Sequence, residues 1–312
     1  MPEFSSVPGS NKYKPGMKLE TVSCPSCGTA ECNSIANPAS HSRKITGRFP
    51  IVCCNSCGLI YLNPRPDRSW LNECYQLLEE DEADYEHKDN NNHKTLARRF
   101  WHKLNHSSPT LLLIDRGPVL DIGCNRGDLL SEVSALGYEA HGLEFSASAV
   151  TECTCRGLKV TLGDIQELEI PKDFYKCIVL SHLLEHLSDP VSVLRKLRAA
   201  LPLDGRLIIC VPNCSSPMTK LFGDSWHGWD PPFHLVHFDR NSLTRMCEQA
   251  GLCVSTIKIK GHPEDFTRSF DLWLKKPRRR LLLRAVLWPF FLCAGALGQG
   301  SYLLVSASPR QS

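Results

Sequence analysis

The sequence predicts an α/β fold, in which helices cover both faces of a parallel sheet that follows a small cysteine-rich domain. Two observations carry this prediction. From residue 117 onward, short apolar runs alternate with segments of helical spacing, as in βαβ units. Near the N-terminus, two C-x-x-C-G motifs mark a segment that is too small to fold without a metal ion.

The composition is that of a globular protein, since 42% of the residues are apolar and 22% are charged. A net charge of +3 is too small to indicate a nucleic-acid-binding surface, so nucleic acid is not an expected partner. No apolar signal segment precedes the sixteen cysteines, so we expect thiols or metal ligands in a cytoplasmic protein. Six scattered cysteines are expected to be buried apolar residues: Cys153, Cys155, Cys177, Cys210, Cys247 and Cys253.

Changes in composition predict four regions. Residues 1–18 are predicted to be a disordered tail and 19–65 a zinc ribbon. Residues 66–116 are predicted to be a helical connection with a charged break. Residues 117–312 are predicted to form the large domain, with a helical insertion at about 264–298.

The two C-x-x-C-G motifs predict the metal site of the ribbon. The ligands would be Cys24, Cys27, Cys54 and Cys57, with 26 residues between the two pairs. Four thiolates complete a tetrahedral zinc shell and leave no position for water, so the predicted zinc is structural. Cys53 is adjacent to Cys54, but only Cys54 gives the C-x-x-C spacing to Cys57.

Seven strands are predicted in the large domain. Their sequences are PVLDIGC, EAHGLEF, LKVTLGD, KCIVLS, GRLIICVPN, LCVSTIKIKG and SYLLVSASP. The intervening DLLSEVSALG, SASAVTECTCRG and VSVLRKLRAAL have helical spacing. A parallel sheet built this way binds ligands at the carboxyl ends of its strands.

Three consecutive strands end in residues that suit a nucleoside ligand. The first runs into a turn containing Gly123, where the backbone can approach a ligand closely. Glu144 ends the second strand, where a carboxylate can accept hydrogen bonds from two ribose hydroxyls. Asp164 ends the third and is placed to hold an adenine amino group. A dinucleotide site is disfavoured because Asn125 interrupts the G-x-G-x-x-G pattern.

With VLDIGCNRG, GLEFS, GDIQEL and CIVLSHLLEHLSDP, the chain resembles the class I S-adenosylmethionine-dependent methyltransferases. CPSCG and CNSCGLIYLNPRP resemble the branch that carries an N-terminal zinc ribbon. The resemblance implies a Rossmann-like seven-stranded methyltransferase sheet and S-adenosylmethionine as cofactor. The implied cofactor residues are Asp121, Gly123, Cys124, Gly127, Glu144, Phe145, Asp164, Ile165 and Ser181.

The chain departs from the family pattern at two positions. Asn125 replaces the middle glycine of the turn, and asparagine tolerates left-handed backbone better than other residues with a side chain. Tyr175 stands where an acidic residue is frequent, which changes the hydrogen bonding expected there.

The segment SHLLEHLSDP contains an H-x-x-E-H pattern, which occurs in inverted zinc peptidases. It follows a predicted strand and precedes a helix, so we interpret it as the loop at the edge of the fourth strand. In similar ubiquinone-pathway O-methyltransferases, a Glu-x-x-Glu-His at this place binds a divalent cation. A cation near Glu185 and His186 is therefore one hypothesis, although His182 replaces the first Glu. A purely structural role for His186 is the alternative.

The segment WHGWDPPFHLVHF follows the fifth strand and predicts an aromatic flap beside the methyl donor. His234 or Asp230 could take a proton there. We predict methyl transfer to a small-molecule or carbohydrate-like acceptor, with oxygen as target. The candidate catalytic residues are His182, His186 and His234.

Two alternative functions remain. One is an RNA methyltransferase whose ribbon binds RNA, and the other is a non-catalytic zinc-ribbon binding protein. For residues 275–297, a basic cluster before an apolar run suits peripheral contact with a membrane surface. A helical insertion packed on the core is slightly favoured over this membrane association.

Overall fold

The computed structural model describes residues 17–42, 44–76, 117–261, 263–275, 286 and 299–310. The predicted tail therefore lies almost wholly outside the described residues, as do most of the helical connection and of the segment proposed for membrane contact. No helix among the described residues is long and apolar enough to span a bilayer.

The N-terminal part consists of short strands. They are β1 (Leu19–Glu20), β2 (Cys32–Ala36), β3 (Ile51–Cys54), β4 (Ile60–Leu62) and β5 (Arg65–Pro66). Strands β2, β3 and β4 form an antiparallel sheet, and β1 pairs with β5. A helix then runs through residues 68–76, to the end of that described range.

The large domain contains the predicted seven-stranded sheet. Its strands are β6 (Val119–Ile122), β7 (Ala140–Glu144), β8 (Lys159–Leu162), β9 (Cys177–Ser181), β10 (Arg206–Pro212), β12 (Leu252–Lys260) and β13 (Tyr302–Pro309). The spatial order is β12-β13-β10-β9-β6-β7-β8, and β13 runs antiparallel to both of its neighbours. This is the Rossmann-like methyltransferase sheet that the sequence predicted. From β6 the chain adds β7 and β8 on one side, and then β9 and β10 on the other side. Ligands bind where the direction of strand addition changes in this way, so the crevice is expected at the carboxyl ends of β6 and β9.

In the part of the large domain that the structure describes, six longer helices and three single turns accompany the sheet. The helices are Asp128–Ala135, Ala147–Cys155, Pro190–Ala200, Pro217–Phe222, Arg240–Gln249 and Pro263–Trp273; the turns are Leu184–His186, Gly223–Ser225 and His227–Trp229. Local chemistry sets several helix starts. Ser146 accepts the backbone N–H of Ala149, and Asp189 accepts that of Ser192.

The two parts of the chain share a sheet, which the sequence did not predict. A short strand of the large domain, β11 (Val236–His237), pairs antiparallel with β4 and becomes the edge of the ribbon sheet. Apolar residues of both parts, among them Phe49, Tyr61, Trp226 and Phe238, are buried in one continuous core. The ribbon is therefore packed against the large domain rather than tethered to it.

The scattered cysteines follow the expected burial only in part. Cys153, Cys177 and Cys247 are buried, and Cys210 is half-buried. The expectation is wrong for Cys155, which is exposed at the end of a helix, and for Cys253, which is exposed on the edge strand β12. Where apolar and polar residues are mixed, a cysteine can lie on the exposed face of its helix or strand as readily as on the buried face.

Candidate active site

A cavity of about 760 Å³ lies at the carboxyl ends of β6, β7, β8 and β9. Seven of the predicted site residues line it: Gly123, Glu144, Phe145, Asp164, Ile165, His182 and His186. Four predicted cofactor residues do not. Asp121, Cys124 and Gly127 are buried behind the wall, and Ser181 is half-buried at the end of β9. These four lie next to residues of the cavity lining, and their predicted contact with the cofactor stays a prediction.

The turn after β6 is held by left-handed backbone at three positions. Gly123 and Gly127 each have φ of +73°, and Asn125 has φ of +46°, which confirms the conformation predicted for this asparagine. A Cβ atom at Gly127 would lie 2.4 Å from Leu158 Cδ1. Gly127 is thus required for close packing of the next helix, whereas Gly123 brings backbone to the cavity.

Glu144 is fixed with its carboxylate at the cavity. Its Oε2 accepts the backbone N–H of Asn125 at 2.8 Å, and its Oε1 accepts that of Ser146 at 2.9 Å. Each carboxylate oxygen can accept a second hydrogen bond. The carboxylate is therefore held at the cavity with free acceptor capacity, and its contact with a ribose diol stays a prediction.

Asp164 meets an arginine that the sequence did not predict. Its Oδ2 lies 2.5 Å from Arg68 Nη2, and its Oδ1 accepts the backbone N–H of Gln166 at 2.8 Å. Arg68 also lies 2.9 Å from Glu167 Oε1. The helix through 68–76 thus forms one wall of the cavity. The cavity-lining residues from this helix and from the preceding strand β5 are Arg65, Arg68, Leu71, Asn72 and Tyr75.

Nothing in the local sequence around Arg68 or Tyr75 signals this role. Neither residue belongs to a motif, and each reaches the cavity only because the ribbon packs against the large domain. The single pointer was the resemblance of the LNPRP stretch to the ribbon-bearing branch.

Glu185 is a buried carboxylate at the centre of three histidines, of which His234 is buried, His186 is half-buried and His182 is exposed. Its side chain is 1% exposed, and neither carboxylate oxygen has a hydrogen-bond partner among the described residues. Nδ1 of His182 lies 3.5 Å from Oε1, and Nε2 of His234 lies 3.9 Å from it. Burial alone would raise the pKa of Glu185, but the imidazoles of His182, His186 and His234 outweigh it and lower the pKa to about 2.

The tautomers of two of these histidines follow from their backbone partners. His186 Nδ1 lies 3.1 Å from the carbonyl oxygen of Phe233, and His234 Nδ1 lies 2.9 Å from that of Gly228. A carbonyl only accepts, so each Nδ1 carries the proton and each neutral ring keeps its lone pair on Nε2. Burial and the neighbouring His234 lower the pKa of His186 to about 4, so His186 is neutral at pH 7.

His182 differs from the other two. Burial would lower its pKa, but contacts with Cys210 and Glu185 raise the pKa well above 6.5. His182 is therefore protonated, and its positive charge balances the negative charge of Glu185. A protonated imidazole cannot act as a general base. Its φ of +54° and the ring of Tyr302, edge-on at 4.9 Å, fix its position.

The four predicted zinc ligands form one cluster in the ribbon. Their sulfur atoms all lie within 4.8 Å of one another, with 3.5 Å between Cys24 and Cys57 and between Cys27 and Cys54. A tetrahedron with Zn–S bonds of about 2.3 Å has edges of about 3.8 Å, so the cluster fits zinc. Cys53 lies outside it, beside the carbonyl oxygens of Cys54 and Gly58.

A methyltransferase-domain family model matches residues 91–257, more than half of the chain. The chain belongs to the methyltransferase family. It is an S-adenosylmethionine-dependent methyltransferase, and the predicted cofactor residues Gly123, Glu144 and Ile165 line its cavity.

The chain is similar to several solved structures. One of them is a chain of a Haloferax volcanii complex, in which the Trm112 methyltransferase activator binds a protein assigned as a methyltransferase. The two chains are 16% identical, with a TM-score of 0.50. The match covers 70% of this chain and 93% of that one. This chain is also similar to an S-adenosylmethionine-dependent methyltransferase of Archaeoglobus fulgidus, at 19% identity and a TM-score of 0.46 over 67% and 98% of the two chains. An S-adenosylmethionine-dependent methyltransferase of Mesorhizobium loti is 14% identical, with a TM-score of 0.46. The match covers 64% of this chain and 94% of that one. A search of curated sequences gave no match.

The buried Asp121 predicts a pH-dependent stability for the methyltransferase. Burial and repulsion from Glu144 raise its pKa from 3.8 to about 7, so the folded state binds this proton more tightly than the unfolded state. The carboxyl therefore favours folding fully below pH 3.8, and this contribution is lost as pH rises through 7. Asp121→Asn should raise the free energy of unfolding by up to about 4 kcal/mol at pH 8.

Urea unfolding of wild type and Asp121→Asn at pH 4 and pH 8 checks this expectation. The difference in free energy of unfolding should be near zero at pH 4 and large at pH 8. A difference that is equal at both pH values would contradict the raised pKa of Asp121.

Proposed function

We propose that this methyltransferase moves the methyl group of S-adenosylmethionine to an oxygen atom of a small-molecule or carbohydrate-like acceptor. The observation that carries the proposal is the buried Glu185 cluster at the edge of the cofactor cavity. His182 and His186 belong to both the cluster and the cavity wall, and Tyr75 and Leu235 extend that wall. The acceptor would bind between the cofactor and these side chains.

The chain's own groups can do what methyl transfer requires. The C–S bond of the sulfonium breaks as the C–O bond forms, and the acceptor hydroxyl loses its proton. Holding oxygen, carbon and sulfur in line supplies much of the rate. His186, neutral at pH 7 and part of the cavity wall, is the residue best placed to accept the proton. The buried aromatic residues Trp226, Trp229 and Phe233 exclude water behind it.

As an alternative to a base at His186, the same cluster fits a divalent cation held by Glu185, His186 and His234. Their candidate ligand atoms lie within 4.8 Å of one another, and Glu185 has two buried oxygens without a hydrogen-bond partner in the described part of the chain. Both imidazoles donate Nδ1–H to a backbone carbonyl, which is the usual second-shell arrangement of a metal-binding histidine. Bound there, a cation would supply positive charge that lowers the pKa of an acceptor hydroxyl.

Methyl transfer from labelled S-adenosylmethionine tests the proposed reaction. The full-length protein is incubated with panels of sugars, phenols and hydroxy acids and with RNA, and mass spectrometry locates the label. Label on the oxygen of a small molecule is the expected result. Label that accumulates only in RNA, or on nitrogen or carbon, would overturn the proposal while leaving the reaction class intact.

The ribbon site is proposed to hold a structural zinc ion, which predicts a sharp difference between adjacent cysteines. Cys54→Ser should lose the single zinc of the ribbon, because a structural zinc contributes about 10–16 kcal/mol of binding free energy to its segment. Cys53→Ser is the matched control and should retain one zinc per chain, since Cys53 lies outside the cluster. Elemental analysis gives the zinc content, and limited proteolysis reports whether residues 19–65 stay folded. Equal zinc content in both variants would refute this ligand set.

A further inference from the structure

The ribbon is joined to the flap, defined here as residues 226–238. Strand β11 of the flap completes the ribbon sheet through the pairs Val236–Tyr61 and His237–Ile60. The backbone N–H of Leu62 also donates to the carbonyl oxygen of Leu235 at 2.9 Å. Backbone hydrogen bonds thus fix the end of the flap to the ribbon.

The flap is joined in turn to the Glu185 cluster. It carries His234, and the backbone N–H of Leu235 donates to the carbonyl oxygen of Glu185 at 2.8 Å. Asp230 of the flap places its Oδ2 3.9 Å from His234 Nε2, the ring nitrogen that faces Glu185. Two carboxylates therefore approach the same imidazole nitrogen from two elements.

One ribbon side chain touches this carboxylate directly. His41, in the loop between β2 and β3, places Nδ1 3.1 Å from Asp230 Oδ1. Burial would raise the pKa of Asp230, but the contacts with His41, His234 and His186 hold it well below its usual range. Asp230 has left-handed backbone, with φ of +31°, which a residue with a side chain adopts only when its surroundings hold it there. His41 is the ribbon's contribution to that restraint.

Further contacts hold the segments on either side of the flap. Arg48 of the ribbon lies 2.5 Å from Asp224, which also accepts the backbone N–H of Asn37 at 3.1 Å. In the helix that follows the flap, Arg245 donates to the carbonyl oxygen of Cys57, one of the zinc-site cysteines, at 2.8 Å. Contacts at both ends of the flap therefore lead back to the ribbon.

We propose that the ribbon supports the flap side of the acceptor site, and that His41 is a positioning residue that fixes Asp230 and, through it, His234. The location of the acceptor rests on the proposed function, but the coupling of ribbon to flap does not. The ribbon would then serve the reaction through its fold.

Two variants of His41 and one control test the proposal in the zinc-loaded full chain. His41→Ala removes the contact with Asp230. His41→Asn keeps it, because the amide Nδ2 occupies the place of the imidazole Nδ1. His141→Ala is the matched control: His141 has a similar carboxylate contact, 3.2 Å to Glu139, but lies at the start of β7, away from the cavity.

The readouts need no acceptor. Selective ¹⁵N labelling of histidine rings reports on His234, and hydrogen exchange reports on flap amides. His41→Ala should shift the ring signals of His234 and speed exchange of the flap amides about tenfold, because a charge-assisted hydrogen bond restrains them. His41→Asn and His141→Ala should leave both unchanged. Affinity for S-adenosylhomocysteine, measured by calorimetry, should stay within about threefold in all three, because none touches the cofactor groups.

Other results would overturn the proposal. An unchanged His234 signal in His41→Ala would show that Asp230 holds its place without the ribbon. A His41→Asn variant that behaves like His41→Ala would show that the contact is not the cause. A loss of S-adenosylhomocysteine affinity would show general unfolding rather than positioning. If the acceptor panel yields no methylated product, only the proposed function fails, since these readouts are independent of it.

Discussion

Replacement of Glu144 by glutamine is expected to reduce the affinity for S-adenosylhomocysteine about 100-fold or more. The loss of two charge-assisted hydrogen bonds to a ribose diol costs about 1.5–3 kcal/mol each, and about 1.4 kcal/mol corresponds to a factor of ten. An amide at this place also turns an N–H group toward the backbone N–H of Asn125 or Ser146, which Glu144 now accepts. Isothermal titration calorimetry measures the affinity.

Glu139→Gln is the matched control for this prediction. Glu139 precedes the same strand, β7, that Glu144 ends, so the two carboxylates lie at opposite edges of the sheet. Glu139 is half exposed and contacts His141 and Lys159 rather than the cavity. Its variant should bind S-adenosylhomocysteine like wild type. Equal affinities in the two variants would mean that the nucleoside binds elsewhere.

Replacement of Glu185 by glutamine is expected to destabilise the protein by about 1–3 kcal/mol at pH 7, because it removes a buried carboxylate whose charge partner His182 is 45% exposed and therefore partly screened by water. The destabilisation should shrink on acidification. The folded pKa of Glu185 is about 2 against 4.5 in the unfolded chain, so the stability it contributes is present above pH 4.5 and is lost as pH falls toward 2. Denaturant unfolding at pH 7 and pH 3 measures both effects.

Glu185→Gln should also abolish methyl transfer without changing the affinity for S-adenosylhomocysteine. If a cation binds at the cluster, elemental analysis should show that the variant loses that metal and keeps the zinc of the ribbon. Glu248→Gln, at an exposed carboxylate of the helix Arg240–Gln249, is the control and should change neither stability nor metal content. Full turnover by Glu185→Gln would remove the cluster from the reaction.

The sequence was sufficient for the strands of the large domain and for the residues that end them. Glu144 and Asp164 were predicted because a short parallel strand places its final side chain at a fixed edge of the sheet. The same reasoning could not give the direction of β13 or the insertion of β13 between β12 and β10, because apolar alternation is the same in parallel and antiparallel pairs.

Contacts between the two parts of the chain were beyond the reach of local patterns. His41 and Arg68 are each ordinary polar residues in their own segments, and β11 is only two residues long. Each acquires its role from a neighbour more than ninety residues away in sequence. The histidines of SHLLEHLSDP and the flap were found because their residue types are chemically conspicuous, but their convergence on Glu185 depends on the packing of the flap.

The pairing of β4 with β11 has a consequence for biosynthesis. The ribbon is synthesised before the large domain, yet its outermost strand is supplied only after most of that domain has been made. During that interval the ribbon exposes an unpaired strand edge, which is prone to associate with other chains. Early capture of zinc by the four thiolates would hold the nascent ribbon in shape until its last strand arrives.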